Sequence, residues 1–260
     1  MTFGFADPWH VFLPREGGHV VGFMGSGGKT SLQRVVAEVY AAENIPTLLT
    51  TTTRCEVLPD LPALTWSALQ EADPGSLPEQ LYVHSGEGEP GKWAGLTAAQ
   101  VDSLGARFPE RIVLAEVDGA AKYPLKLYRD GEPVWPRRTS LAVVVMGVGA
   151  VGGQAGQKIH RWTTVPFAAF AGLPDYTVLE WSHVADLLLA DGGYLAQVPA
   201  EVPAVLALTG LADQDDSIGL FGFVGQAMEN PALPLALFCS LGADGWDMRT
   251  AYAEREEDAL

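Results

Sequence analysis

The sequence predicts an α/β fold: a mainly parallel β-sheet with helices on both faces, stacked as a three-layer sandwich. Three observations carry this. Short apolar runs rich in β-branched residues alternate with segments whose apolar residues recur at helical spacing, as in successive β-α-β units. The longest such run, LAVVVMGV at 141–148, lacks polar alternation, which suits a strand covered on both faces. The first run leads straight into a glycine turn and a helical pattern, GFMGSGGKTS at 22–31, so a strand ends and a helix begins there.

The elements follow in order. Residues 19–24 (HVVGFM) form a short buried strand, and 30–44 place Leu32, Val35, Val36, Val39 and Tyr40 at helical spacing. Residues 46–52 (PTLLTTT) are a second β-rich run, ending in the tract Thr50, Thr51, Thr52 and Thr53. The Pro- and Gly-rich stretch 58–91 is expected to be largely irregular surface with one short strand at 81–85. Residues 97–108 read as an amphipathic helix feeding the apolar run 111–118 (RIVLAEVD), which meets acid at its C-terminal end. Beyond the strand at 141–148 come a helix at 183–191, a strand at 203–210, a helix at 217–229 and a strand at 233–241. The final EREEDAL is expected to be a solvated end.

With 260 residues and 48% hydrophobic content the chain can bury a large core. One domain over 1–260 is expected, with the site motifs in 19–161 and residues 162–260 completing the sheet. The formal charge of -16 opposes nonspecific binding of nucleic acid or anionic lipid. The start of the chain lacks a basic segment followed by a long apolar one, and no run reaches about 18 apolar residues. A cytoplasmic protein with neither a nucleic-acid nor a membrane partner is therefore expected. Cys55 and Cys239 show no metal-type spacing and read as buried thiols.

The glycine turn carries the chemistry. In the phosphate-loop pattern GxxxxGK[ST] the first glycine would fall on Phe23, so the full pattern fails. The shorter form GxxGK[ST] is satisfied by Gly25, Ser26, Gly27, Gly28, Lys29 and Thr30, with Ser31 following. It keeps what matters physically: glycines let backbone N–H groups converge on phosphate oxygens, and the helix start presents its positive dipole end. Lys29 would contact the outer phosphates and the Thr30 hydroxyl would ligate Mg²⁺. A P-loop NTPase-like sandwich binding ATP or GTP with Mg²⁺ is expected, the alternative being a purely structural turn.

An acid must then reach the metal from a neighbouring strand end. Glu116 and Asp118 sit two apart and would share one face of a strand. One would hold metal, directly or through water, and the other would orient a substrate or activate a water, or else the pair is simply solvated at a strand end. A basic segment follows at once. Residues 122–161 hold seven Lys and Arg against two acids, whereas 1–121 hold seven against 15 and 162–260 two against 15. Lys122, Lys126, Arg129, Arg137, Arg138, Lys158 and Arg161 are candidates to clamp phosphates or a second anion, or else they neutralise acidic neighbours within the fold. His160 beside Arg161 is a candidate acid, base or phosphate contact, or a structural histidine.

Taken together, GSGGKTS, LLTTTT, KWAGL, EVDGAAKYPLK, EPVWP and IHR, in this order over about residues 20–165, give a chain that resembles the accessory protein family of selenium-dependent molybdenum hydroxylases (YqeC-like). The resemblance implies a small P-loop protein acting in maturation of molybdenum hydroxylases or their cofactor. Its partners would be a nucleotide and a molybdopterin-type cofactor or an apo-hydroxylase. It maps the phosphate loop to Gly25, Ser26, Gly27, Gly28, Lys29, Thr30 and Ser31, the acid motif to Glu116, Asp118 and Gly119, and further site positions to Pro124, Leu125, Lys126, Glu132, Pro133, Pro136, His160 and Arg161. In these roles Lys29, Glu116 and Asp118 are catalytic, Thr30 with the two acids holds Mg²⁺, and Lys126, His160 and Arg161 bind an anionic substrate.

The chain departs from the family in places. Its acid motif usually reads close to EADGSxxxPLK, whereas Val117, Ala120 and Ala121 stand here, and a His-Glu-Pro string becomes Gly131-Glu132-Pro133. An Asn-Lys-x-Asp-like string that would select guanine is replaced by Thr209, Gly210, Leu211, Ala212 and Asp213. Guanine preference thus has little support. Three functions follow as expectations: a Mg²⁺-dependent NTPase or phosphotransferase serving molybdenum hydroxylase maturation, an ATP-dependent ligase of the Mur type, whose loop has the same short form, or a nucleotide-gated chaperone or scaffold without catalysis.

Overall fold

The computed structural model describes residues 12–211, 217–233, 235–242 and 245–252, with side chains up to residue 211 and over 218–233. In chain order the first elements are β1 (Val20–Gly25), α1 (Lys29–Ala42), β2 (Thr47–Thr51), β3 (Arg54–Glu56), β4 (Ala63–Thr65), α2 (Trp66–Glu71) and β5 (Gln80–His84). Then come β6 (Gly86–Glu87), β7 (Lys92–Ala94), α3 (Ala98–Arg107), β8 (Ile112–Glu116), β9 (Leu125–Lys126) and β10 (Thr139–Gly147). The remainder is α4 (Ala155–Lys158), β11 (Ile159–His160), α5 (Trp181–Leu189), β12 (Ala204–Thr209), α6 (Ser217–Met228), β13 (Leu235–Gly242) and β14 (Gly245–Tyr252).

Nine strands make one sheet in the order β14-β13-β12-β10-β1-β8-β2-β5-β4, parallel throughout except for the antiparallel β13 and β14 pair at one edge. Every residue of β1, β2, β8 and β12 is buried, as continuous apolar runs require in a parallel sheet covered on both faces. Alternate side chains of β1 serve opposite faces. Val21 and Phe23 pack with Leu32, Val35 and Val36 of α1. On the other face Met24 joins Val184, Leu187 and Leu188 of α5 and Phe223 and Val224 of α6, while Val20 joins Val101 and Leu104 of α3. The three-layer α/β expectation holds.

Two small sheets accompany it: β3-β7-β6, and the parallel pair β11-β9, which sets His160 opposite Lys126. The stretch 58–91 is more ordered than its composition suggests, since β4 and α2 precede the expected strand β5. Thr65 caps α2 by accepting the Ala68 N–H at 3.2 Å, and Leu69 buries the short helix. Elements of three to six residues are too short for periodicity to reveal. Residues 254–260, expected to be a solvated end, the Ala212 and Asp213 positions and the Cys239 side chain lie outside the described residues. Cys55 is buried, which pushes its thiol up to about 11.

Candidate functional site

The site is built where β1 runs into α1. Gly25, Gly27 and Gly28 have φ of 101°, 91° and 112°, the left-handed region where side chains are strained. At Gly27 there is also no room, because a Cβ would meet Gly147 Cα at 2.6 Å. Gly28 caps α1 without a side-chain hydrogen bond. The Gly25 N–H donates to Asp118 Oδ2 at 2.8 Å and the Ser26 N–H to the Val145 carbonyl at 2.9 Å. Thr209 Oγ1 donates to the Gly27 carbonyl, tying the loop to the end of β12. The N–H groups of Gly27, Gly28, Lys29, Thr30 and Ser31 donate to no acceptor among the described residues. Ser26 Oγ is likewise buried without a partner. An orphaned hydroxyl and a run of undonated amides at a helix start are what an anion would satisfy.

β8 lies directly beside β1 and ends at Glu116, so Asp118 stands two residues beyond the strand rather than on its face, and the two acids do different things. Glu116 Oε1 accepts the Thr30 hydroxyl at 2.5 Å. Burial pushes the Glu116 carboxyl above its usual range, opposed by Lys29 and by the Thr30 hydroxyl. Its backbone is anchored from β2: the Glu116 carbonyl accepts from the Thr52 N–H at 2.8 Å and from Thr51 Oγ1 at 3.2 Å. Asp118, fully buried, is surrounded by donors. Besides the Gly25 N–H it holds Lys29 Nζ at 3.0 Å, Lys126 Nζ at 3.3 Å and the Tyr128 hydroxyl at 2.8 Å. Lys29 Nζ donates to the Gly25 carbonyl at 2.7 Å, whereas its contact with Asp118 Oδ1 is an ion pair without hydrogen-bond geometry, so the ammonium keeps donor capacity for a ligand.

Most of the basic segment is paired internally. Lys126, 0% exposed, donates to the Gly119 carbonyl at 2.7 Å and reaches Glu132 Oε2 at 3.3 Å as well as Asp118. Burial pushes its ammonium below its usual range. Arg161 grips Glu132 with two bonds, of 2.7 and 3.0 Å, and Arg129 adds a third cation at 2.9 Å. Burial raises the Glu132 carboxyl, but Arg161 and Lys126 outweigh it and hold it at about 2. Lys122 pairs with Glu56, and the backbone N–H groups of Arg137 and Arg138 bond Asp102. His160 is half-buried with its ring 5.3 Å from that of Tyr123, and burial and Arg161 lower its imidazole. Ion pairs within the fold therefore engage four of the segment's seven cations: Lys122, Lys126, Arg129 and Arg161.

The structure gathers Gly25 to Ser31, Glu116 and Asp118 at one strand end, and Lys126, Glu132 and Arg161 in a network attached to Asp118. Sequence reasoning missed Tyr128, which shares Asp118 with Lys126 and lies 4.4 Å beneath the Lys126 ammonium. It also missed Tyr194, whose hydroxyl accepts the Lys126 N–H at 2.9 Å. Tyr128 lies two residues past Lys126 and outside β9, so no strand periodicity marked it. Tyr194, 68 residues away, had no signal either.

The family model described as YqeC protein matches residues 21–163. The chain is 31% identical over 188 residues to the "Uncharacterized protein YqeC" of Escherichia coli (strain K12), covering 69% of this chain and 71% of that one. No solved structure matches. The glycine loop, β8 with its two acids, and the Lys126, Glu132 and Arg161 network all fall within the matched span, and the chain belongs to the YqeC family.

Proposed function

We propose that the protein binds a nucleoside triphosphate, ATP or GTP, together with Mg²⁺, and hydrolyses it or transfers its terminal phosphate. The observation that carries this reading is the 2.5 Å contact between Thr30 and Glu116, placed at the helix start beside undonated loop amides. Two hard oxygen donors of this kind suit a Mg²⁺ ion that keeps several waters, and the orphaned Ser26 hydroxyl and free amides suit the phosphates. Bound Mg²⁺ would supply charge neutralisation between phosphate oxygens. The chain's own residues bind and orient. The loop amides would hold phosphate oxygens, Lys29 would direct donor capacity at them, and Asp118 would fix Lys29 through their 3.0 Å ion pair. Catalytic work by Glu116 and cation holding by Thr30 and Glu116 follow, with Asp118 as a positioning residue.

The resemblance to molybdenum hydroxylase accessory proteins supports the further proposal that this activity serves those enzymes or their cofactor. A phosphate-bearing molybdopterin is a fitting second ligand near Arg161 and His160. Thermal denaturation with a panel of nucleotides, with and without Mg²⁺ and molybdopterin, tests the reading. A nucleotide at 100 times its Kd adds about 2.7 kcal/mol of stability. Stabilisation by a triphosphate only with Mg²⁺ is expected, and no shift with any nucleotide would overturn it.

A further inference from the structure

A cavity of about 370 Å³ opens beside the Asp118 network, and none of the loop residues 25–31 lines it. Two of its wall residues belong to both places. Tyr128 lines the cavity and donates its hydroxyl to Asp118 at 2.8 Å, while Glu132 lines it and holds Lys126 and Arg161. The volume lies within the range of small-molecule sites, about 300–1,000 Å³. Its other walls are mixed and mainly polar: Val165 and Phe167 offer a short apolar strip, Gln197 adds an amide, and Asp130 and Asp191 are exposed carboxylates with no ion-pair partner among the described residues. The one cation on the wall, Arg129, is already paired with Glu132.

We propose that this cavity binds a small molecule with a flat apolar body and a cationic or N–H-donating end, and that Tyr128 couples its occupancy to the phosphate loop. The apolar wall takes the ring and the unpaired carboxylates take the donor, so an anion of the same shape is rejected. Coupling follows from the shared hydroxyl. A ligand that draws or turns Tyr128 removes a donor from Asp118, and Asp118 is what holds Lys29. By linkage, a triphosphate that draws Lys29 changes the cavity's affinity by the same factor. The coupling rests on the proposed nucleotide binding, whereas the cavity assignment does not.

Benzamidine, a flat ring with a cationic donor end, is the probe, and benzoate is its anionic counterpart. Titration of isotope-labelled protein is expected to give saturable benzamidine shifts centred on 127–132 and 165–168, with benzoate at least ten-fold weaker. Ala168→Trp, at an exposed wall position, is expected to abolish binding, and Asp130→Asn with Asp191→Asn to weaken it at least five-fold. Saturating benzamidine is expected to shift MgATP affinity five-fold or more, Ala168→Trp to remove that shift, and Tyr128→Phe, which lacks the shared hydroxyl, to shrink it. Equal binding of benzoate, or full binding to the carboxamide variant, overturns the cavity assignment. Benzamidine binding with no effect on MgATP affinity overturns the coupling. Benzamidine binding without any MgATP binding supports the cavity and overturns the nucleotide reading.

Discussion

The Lys29 ammonium lies 3.0 Å from Asp118 Oδ1, and the two side chains are 5% and 0% exposed. The loop lysine is therefore held by a carboxylate that also holds Lys126 and the Tyr128 hydroxyl. Glu116, two residues earlier, faces Thr30 instead. Two acids two residues apart at the end of β8 thus have different partners: Asp118 holds a lysine and Glu116 a threonine hydroxyl.

That division predicts opposite phenotypes. Asp118→Asn leaves two buried ammonium groups without their shared counter-charge and is expected to cost about 3–5 kcal/mol of stability. Glu116→Gln keeps the shape, relieves a desolvated charge and is expected to leave stability within about 1 kcal/mol while abolishing the Mg²⁺ dependence of nucleotide binding. Urea denaturation and titration with and without Mg²⁺ check both. Equal stabilities for the two variants would contradict the division.

Protonation should act through Glu116. Its pKa is raised by burial, so its ionised form is lost at a higher pH than for an ordinary carboxylate. Mg²⁺-dependent nucleotide affinity is expected to fall as pH drops through that raised value, and Glu116→Gln to be insensitive over the same window. For stability the sign is reversed: a raised carboxyl contributes stability below its unfolded pKa and loses that contribution as pH rises through the folded one. Affinity measured across the acid range separates the two effects.

Glu132 behaves the other way. Held at about 2 against an ordinary value of 4.5, it contributes stability above the unfolded pKa and loses it as pH falls toward the folded one. The shift corresponds to roughly 3 kcal/mol. Arg161→Ala removes the two-bond grip and is expected to lower stability at neutral pH and flatten its decline on acidification. Denaturant midpoints at neutral pH and near about pH 3 provide the comparison.

Gly27→Ala tests the loop's packing. The added Cβ would meet Gly147 Cα at 2.6 Å and sit on a φ of 91°. Strain alone costs about 1–3 kcal/mol, and the backbone contact adds to it. A midpoint unchanged from the wild type would mean the loop is not locked against β10.

Much of the scaffold was legible because its strands are long and buried. β1, β8, β10 and β12 are apolar runs that only a doubly covered sheet accommodates. The β4, β9 and β11 strands escaped notice because two or three residues carry no period. Within the site, the spacing of Gly25, Gly28, Lys29 and Thr30 located the loop, since those positions depend on local backbone. The partners of Asp118 did not follow, because Lys126 and Tyr128 arrive from a separate strand end. Counting charge did not reveal pairing: Glu132 engages Lys126, Arg129 and Arg161, and a tally of basic residues does not show who pairs with whom.

The most direct test of nucleotide capture is calorimetric titration of MgATP and MgGTP into the wild type and Lys29→Ala. The variant leaves Asp118 with Lys126, Tyr128 and the Gly25 N–H, so its fold should survive. Binding of at least one nucleotide to the wild type, weakened ten-fold or more in the variant, is the expected result. Equal affinities in the two proteins, or no binding of either nucleotide to the wild type, would contradict it.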